Sequence, residues 1–495
     1  MKYIIGIDIG TGSTKAVALD LTYQPVASSQ FFYTTDSTRE GQSEQQPEMI
    51  WDAFTNCINE LVDRFKVAPV TIGLSSAMHS LIMVDESGKA LAPMMTWADS
   101  RSAEEANVLK ASPEGMALYE ATGTPIHAMS PLSKLIWLRK NKKVLFDTAH
   151  KFISIKEYIW FKLFGEYKID YSIASCTGLF DIHHQTWHKA SLRLAGIEER
   201  HLSTPVQTNY LVDTRKHTIT ALNGLDTNFV IGASDGCLAN LGSEATTNGI
   251  AALTIGTSGA LRLASDKPIY NPAGMTFSYI LDGQTYVCGG PVNNGGIALQ
   301  WLMKNVFGKD TLLPEDYKTL FDHVASTAAG SEGLLFLPYL AGERAPLWDS
   351  ESSGTFFGLK LNHNQNHLSR AVIEGICYAL NDVLKTIEDT EVYIKQINVS
   401  GGFVHSAVWM QILADITGKK LVLVLEEDAS AVGAAYLAAK ANGLSTHYPN
   451  HKNTAPRTIL PNAAAHLEYQ KYFVIFKQLY ANLGTTMHQL NHLKT

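Results

Sequence analysis

The chain has 495 residues, 45% of them hydrophobic and 18% charged, with 40 Lys+Arg against 47 Asp+Glu for a net charge of -7. These values exclude a disordered chain, a basic nucleic-acid binder and a small disulfide scaffold, and they predict a globular protein of roughly two to four domains at ~150 residues each. A mild negative charge favours solubility and names no partner.

The first apolar run, residues 3–8, is interrupted by Asp8 before it reaches the ~7–15 residues of a signal-peptide core. The most apolar later stretch, 72–84, carries Ser75, Ser76, His79 and Ser80 and falls short of the ~18 residues of a membrane span. A cytoplasmic protein is therefore expected, with neither membrane nor nucleic acid as a partner. The five cysteines are scattered and never spaced C-x-x-C, so they read as small buried hydrophobes rather than as a disulfide framework or zinc site.

In chain order, apolar runs at 3–8, 15–20 and 26–33 are separated by turn residues and predict a three-stranded meander. A helical period covers 47–65, with Met49, Ile50, Phe54, Ile58, Leu61 and Phe65 on one stripe, before a strand at 70–74. Another strand at 229–233 leads to a helix through Leu238 and Leu241. A second meander then starts near residue 250, and Ile9-Gly10-Thr11-Gly12-Ser13 recurs as Ile255-Gly256-Thr257-Ser258-Gly259, an offset of 246 residues. Similarity at an offset near half the length predicts two lobes of one plan facing each other across a cleft, with a packed hinge at 244–249. Further on, helices are expected after Gly296 and over 367–387. A strand at 394–400 meets Gly401-Gly402, and Ser406 reads as the N-cap of the next helix. A last amphipathic helix over 464–480 presents Leu467, Phe473, Phe476 and Tyr480 as a core face.

The residues Gly6 to Lys15 place a carboxylate, Asp8, at a strand end, followed by small residues, hydroxyls and a cation. Backbone N–H groups beside Gly10, Thr11, Gly12, Ser13 and Thr14 suit phosphate oxygens, and a hard carboxylate oxygen suits Mg²⁺. The pattern is neither a P-loop nor a Rossmann fingerprint. A second Gly-Thr turn at Gly256, Thr257, Ser258 and Gly259 lets two hairpins grip one polyphosphate. Asp235, just past an apolar strand, reads either as a helix N-cap or as a general base at a strand's carboxyl end. Met78-His79 and Trp97-Ala98-Asp99-Ser100-Arg101 mix the aromatic, imidazole, carboxylate and guanidinium groups that recognise sugars.

These residues resemble the FGGY carbohydrate kinases, within the actin/hexokinase/Hsp70 ATPase superfamily. Two long signatures carry the resemblance. One is Met129-Ser130-Pro131-Leu132-Ser133-Lys134-Leu135-Ile136-Trp137-Leu138-Arg139-Lys140-Asn141; the other runs from Gly354-Thr355-Phe356-Phe357-Gly358-Leu359 through His367-Leu368 to Ala371 and Glu374. The resemblance implies an α/β fold of two actin/hexokinase-like, ribonuclease H-like lobes around a central cleft. It implies a lobe at 1–246 with the sugar site, first phosphate loop and base, and a nucleotide lobe at 247–445. A C-terminal extension at 446–495 is expected to pack its helix on the second lobe. Asp8 is implied as the Mg²⁺ ligand and Asp235 as the catalytic base. Met78, His79, Trp97, Met129 and Asp235 match segments lining the sugar cleft. ATP is implied to lie against Gly10, Thr11, Gly12, Ser13, Thr14 and Lys15, and against Gly256, Thr257, Ser258 and Gly259. Gly401, Gly402, Ser406, Trp409 and Gln411 match the adenosine side. The loop from Leu337 to Pro346 matches a family loop without an assigned contact.

Within the family, the segments around Ser75–Ser80, Thr96–Ser102, Gly123–His127, Ile155–Tyr158 and Gly289–Gly296 are most similar to members that phosphorylate gluconate. A gluconate carboxylate requires a cation or several N–H donors, and among Lys156, Arg101, His127 and His79 we expect Lys156 to supply it. Xylulose or another polyol is the alternative acceptor. A nucleotide-dependent sugar-sensing switch without phosphotransfer is the rival from another class, and it has no use for an acceptor base. A homodimer fits the family. With a net negative charge and two anionic substrates, attraction has to come from local donors in the cleft.

Overall fold

The computed structural model describes residues 1–216, 222, 224–424, 428–448 and 457–493. Strands β1 (Tyr3–Ile9), β2 (Ser13–Asp20) and β3 (Pro25–Phe32) form the expected meander, followed by helix α1 (Pro47–Phe65) and strand β4 (Thr71–Ser76). Helices α2 (Pro131–Asn141) and α3 (Ile155–Phe164) precede strands β5 (Leu211–Asp213) and β6 (Asn228–Ser234), and β6 runs straight into α4 (Asp235–Gly242). These strands make one six-stranded sheet in the order β5-β6-β4-β1-β2-β3.

The second half builds β7 (Ile250–Ile255), β8 (Gly259–Ser265), β9 (Phe277–Asp282) and β10 (Thr285–Val292), then α5 (Gly296–Trp301), α6 (Pro314–Ser326) and α7 (Gln365–Glu388). It continues with β11 (Gln396–Ser400), α8 (Ala407–Thr417), β12 (Lys420–Leu423), α9 (Ala429–Ala441), β13 (Thr458–Ile459) and α10 (Ala463–His492). Its sheet runs β9-β10-β8-β7-β11-β12-β13. Without β9, this order repeats the first sheet strand for strand. From β3 to β5, and again from β10 to β13, successive pairings are antiparallel, antiparallel, parallel, parallel and antiparallel. The repeat 246 residues apart is therefore the turn of the first hairpin in each sheet. The copies differ at one edge, where β5 precedes its neighbour in the chain and β13 follows its own.

Local chemistry accounts for the elements that position the cleft. Helix α1 begins with Pro47 and an acidic Glu48 in its first turn and ends with Lys66 in the left-handed region. It buries Ile50, Phe54, Ile58 and Leu61, whereas Met49, expected on the same stripe, is 40% exposed. Helix α9 comes from the second half of the chain but lies on β1 and β4 of the first sheet and on α4. Its approach is closer than side chains allow: a methyl on Gly6 would sit 1.8 Å from the Ala431 carbonyl oxygen, and one on Gly73 would sit 2.2 Å from that of Ala434. Glycine at these two positions lets helix and sheet pack backbone to backbone.

Helix α10 extends to His492, well beyond the expected end, and packs on α8 and α7. It buries Tyr469, Phe473, Phe476 and Leu479, but Leu467, expected in the core face, is 68% exposed. The buried stripe starts at Tyr469, whose hydroxyl donates to Glu374 and accepts from Arg370 on α7. Among the described residues, no helix is long and apolar enough to cross a membrane.

Candidate active site

The two hairpin turns meet at one cavity of about 300 Å³, which both Thr11 and the Gly256, Ser258 and Gly259 segment line. Each turn is held from behind. Tyr33 donates its hydroxyl to the Gly10 carbonyl at 2.6 Å and the Gln45 amide reaches the Thr11 carbonyl at 2.5 Å. In the second turn, the Gly296 N–H donates to the Gly256 carbonyl at 2.7 Å, and Gly295 and Ile297 donate to that of Thr257. A Cβ built on Gly12 or Gly256 meets nothing within 4 Å, so open space lies in front of both.

Two further hollows adjoin this cavity. Asp8, Lys15, Gly401, Gly402 and Asp428 line one of about 430 Å³. Lys15 pairs with Asp428 at 2.5 Å, linking β2 to the residue that precedes α9. The Ser75 hydroxyl donates to Asp8 at 2.7 Å, while burial and the nearby Asp235 and Asp428 push the Asp8 carboxyl up to about 7. A buried carboxylate repelled by two others fits a cation. Among the described residues no three His, Cys, Asp or Glu groups converge as a protein cage. That donor set suits Mg²⁺, which keeps several waters and takes phosphate oxygens beside one or two carboxylates. The second hollow is an apolar groove of about 810 Å³, with Gly256, Thr257, Gly402, Ser406 and Trp409 on one side and Tyr317 and Phe321 of α6 on the other. Ser406 also caps α8, accepting from the Trp409 N–H. Gln411 turns away to Asp415 and the Leu460 carbonyl.

Met78, His79, Trp97, Met129 and Asp235 all line the 300 Å³ cavity. The N-cap of α4 is Ser234, not Asp235, since the Ser234 hydroxyl accepts from Cys237. Asp235 is thereby left at the head of the helix, where among the described residues its Oδ1 accepts from the adjacent Gly236 N–H alone, at 2.6 Å. Burial raises its pKa, and the charge of Arg262 draws it back down. His79 is held in the left-handed region at φ 65°, with Nδ1 2.8 Å from the Cys176 carbonyl. Burial and the Lys134 charge depress its pKa to about 3. The imidazole is neutral, so Nδ1–H donates and Nε2 faces the Tyr279 hydroxyl at 3.5 Å. Trp97 donates from Nε1 to the Thr11 hydroxyl at 2.9 Å and so ties the cavity wall to the first hairpin turn.

Several expected site residues lie elsewhere. Lys156, expected to receive the substrate carboxylate, is 1% exposed and engaged within the protein, with Nζ 2.7 Å from Asp170 and 2.8 Å from the Ala233 carbonyl. It supports the end of β6 from beneath rather than facing the cavity. Arg101 is bound by Asp99 and Glu44. His127 is neutral, its pKa depressed to about 3 by burial and by Arg344, and it packs against Trp348. Thr14, expected against the phosphates, is wholly buried behind the turn, with its hydroxyl near Tyr33. The Ser13 hydroxyl accepts from Gln30 at the foot of the turn.

The cations that do line the cavity are Arg262 and Arg344. Strand alternation carried the signal for the first, because Ala260 and Arg262 share a face of β8 just past the turn. The second lies in the loop from Leu337 to Pro346, and only the fold reveals its position, where its guanidinium sits 4.6 Å over the Trp97 ring.

Residues 3–242 match the FGGY family of carbohydrate kinases, N-terminal domain, and 251–442 match the C-terminal domain of the same family. The gluconokinase of Bacillus subtilis (strain 168) is 42% identical over 89% of this chain and 88% of that protein. The solved gluconate kinase of Lactobacillus acidophilus superposes with a TM-score of 0.93 at 34% identity, covering 99% of both chains. The ligand-bound xylulose kinase of the same organism has the same TM-score and identity, covering 99% of this chain and 100% of that one.

Proposed function

The chain belongs to the FGGY family of carbohydrate kinases, and we propose that it transfers the γ-phosphoryl group of ATP to the 6-hydroxyl of D-gluconate. A sugar kinase of this family uses ATP as donor. The observation that carries the acceptor assignment is Arg262, a guanidinium that lines the cavity with Asp235, since gluconate brings a carboxylate that neutral sugars lack. The 42% identity with a gluconokinase supports the same reading. The division between lobes that best fits this reading is 1–246 and 247–445, with 446–495 as an extension.

In the proposed reaction Asp235 accepts the proton of the 6-hydroxyl as that oxygen bonds to the γ-phosphorus. The bond from phosphorus to the β,γ-bridging oxygen breaks and ADP leaves. General-base help of this kind contributes ~10²–10⁴-fold; positioning and charge neutralisation supply most of the rest. Bound at Asp8, Mg²⁺ would neutralise phosphate charge. The two hairpin turns orient the phosphates, the groove between α6 and α8 suits the adenosine, and Trp97 and Met129 exclude water around the sugar chain.

A neutral ketose is the second reading, favoured by the equal likeness to a xylulose kinase structure. ADP release measured with gluconate, xylulose, ribulose, glycerol and rhamnulose, with and without Mg²⁺, decides between them. Fastest turnover on gluconate supports the proposal, and fastest turnover on a neutral ketose defeats it.

A further inference from the structure

Arg262 and Arg344 differ in how their donors are met. Arg344 is committed to the protein: its Nε donates to the Asn293 side-chain oxygen at 2.7 Å, one Nη reaches the Val292 carbonyl at 3.3 Å, and the plane covers Trp97. The Arg262 side chain has no hydrogen-bonding partner among the described residues, although burial presses its pKa downward. A guanidinium presents five donors in a fixed fork, and here they border the cavity with no protein acceptor taking them, so a ligand that brings acceptors can use them.

The position of Arg262 suits a particular acceptor. Gly259 flanks the phosphate turn, and Arg262 lies three residues further along β8, about 10 Å away at ~3.4 Å per residue. Between them, on the same face, Ala260 leaves room for a sugar chain. The Arg262 side chain reaches the start of α4, where a methyl on Gly236 would lie 3.2 Å from its Nε. Asp235 is the carboxylate that acts on Arg262, yet no ion pair joins them, and an unpaired base is what proton acceptance requires. Among the other cations considered for this role, Lys156 and Arg101 are engaged elsewhere, and His79 and His127 are uncharged.

We propose that Arg262 receives the carboxylate of the substrate, and that this contact makes the enzyme select an acid sugar over neutral polyols and ketoses. The proposal rests on the gluconate reading. A bidentate guanidinium–carboxylate pair fixes both charge and orientation, an anchor that a neutral polyol or ketose cannot use.

The test compares D-gluconate with D-glucitol, its neutral counterpart with a hydroxymethyl group in place of the carboxylate. Wild type, Arg262→Leu and Arg262→Lys are assayed for kcat and KM on both, with ATP affinity measured to show that each variant is folded. The expected result for Arg262→Leu is a rise of roughly 10²-fold in KM for gluconate, a much smaller change for glucitol, and partial recovery in Arg262→Lys. An equal loss on both substrates, carried by kcat, would overturn the proposal and assign Arg262 to Asp235 instead. A wild-type preference for glucitol over gluconate would overturn the gluconate reading itself. If Arg262→Leu does not fold, the Lys variant carries the test, since a point charge that cannot reproduce the fork still has to lower gluconate affinity more than glucitol affinity.

Discussion

Lys134, with no exposure to solvent, donates a 2.6 Å hydrogen bond to the carbonyl oxygen of His79. The same ammonium donates at 2.6 Å to the carbonyl of Thr96. One helix residue thus fastens two loops that carry cavity walls, His79 itself and Trp97. His79 sits at positive φ, a conformation that needs support from its surroundings.

Removing that ammonium should loosen the sugar site before the nucleotide site. Lys134→Met strands two buried carbonyls, each costing ~1–3 kcal/mol. We expect a lower urea midpoint and a KM for the sugar that rises at least tenfold, by ~1.4 kcal/mol of lost binding, while the KM for ATP changes little. Equal rises in both would show that the residue supports the whole fold and not the sugar loops.

The same lysine links stability to pH. Burial pulls its pKa from 10.5 to about 7, so between these values the unfolded chain binds more protons than the folded one. Stability therefore rises with pH across that window, and the penalty for the buried charge is fully present below pH 7. Urea midpoints at intervals from pH 6.5 to 9.5 should climb more steeply in wild type than in Lys134→Met. Parallel curves would mean that the group does not titrate there.

Asp235→Asn keeps the size of the side chain and an acceptor oxygen but removes the base. We expect kcat to fall by ~10²–10⁴-fold, with the affinities for ATP and gluconate held within a few-fold by calorimetric titration. Near-normal turnover would remove Asp235 from the reaction.

The repeat, the two Gly-Thr turns and most of the lining of the cavity between them were legible because they rest on local patterns: Gly-Thr turns after apolar strands, and aromatic or imidazole residues after strand ends. The signatures were legible as text but not as physics. Only the fold shows that Lys134 of the first pins two loops, and that Glu374 of the second binds Arg370 and the Tyr469 hydroxyl to dock the last helix. The cation assignment failed for a similar reason. A lysine's value as a ligand depends on what already faces it, and the Asp170 that engages Lys156 lies on a separate segment. Leu467 and Met49 were misplaced because a helical stripe is wider than the contact it makes, and which edge is covered depends on the neighbouring helix.

Asp8→Asn should act through the metal ion. Loss of the carboxylate is expected to raise the Mg²⁺ concentration needed for half-maximal turnover by ~10–100-fold. Binding of metal-free ATP should hold or tighten, because a buried negative charge near the phosphates is gone. Mg²⁺ titration at saturating gluconate, with calorimetry on ATP plus chelator, separates the two effects. An unchanged Mg²⁺ requirement would place the ion elsewhere.

Lys156 offers the complementary case of a cation whose importance is structural. It and Asp170 form a buried pair, and removing one partner leaves the other charged without compensation, at ~3–5 kcal/mol. Lys156→Met should therefore lower stability by about that amount in urea denaturation. Asp170 also caps a short helix, its Oδ1 accepting from the Ile173 N–H at 2.9 Å, so the informative second change is Asp170→Asn, which keeps that acceptor and drops the charge. The double variant Lys156→Met/Asp170→Asn should recover most of the lost stability, because the penalty comes from the stranded carboxylate and not from the missing attraction. The ratio of gluconate to glucitol turnover should stay that of wild type in the double variant, since neither side chain faces the cavity. A collapse of that ratio would return Lys156 to the substrate site.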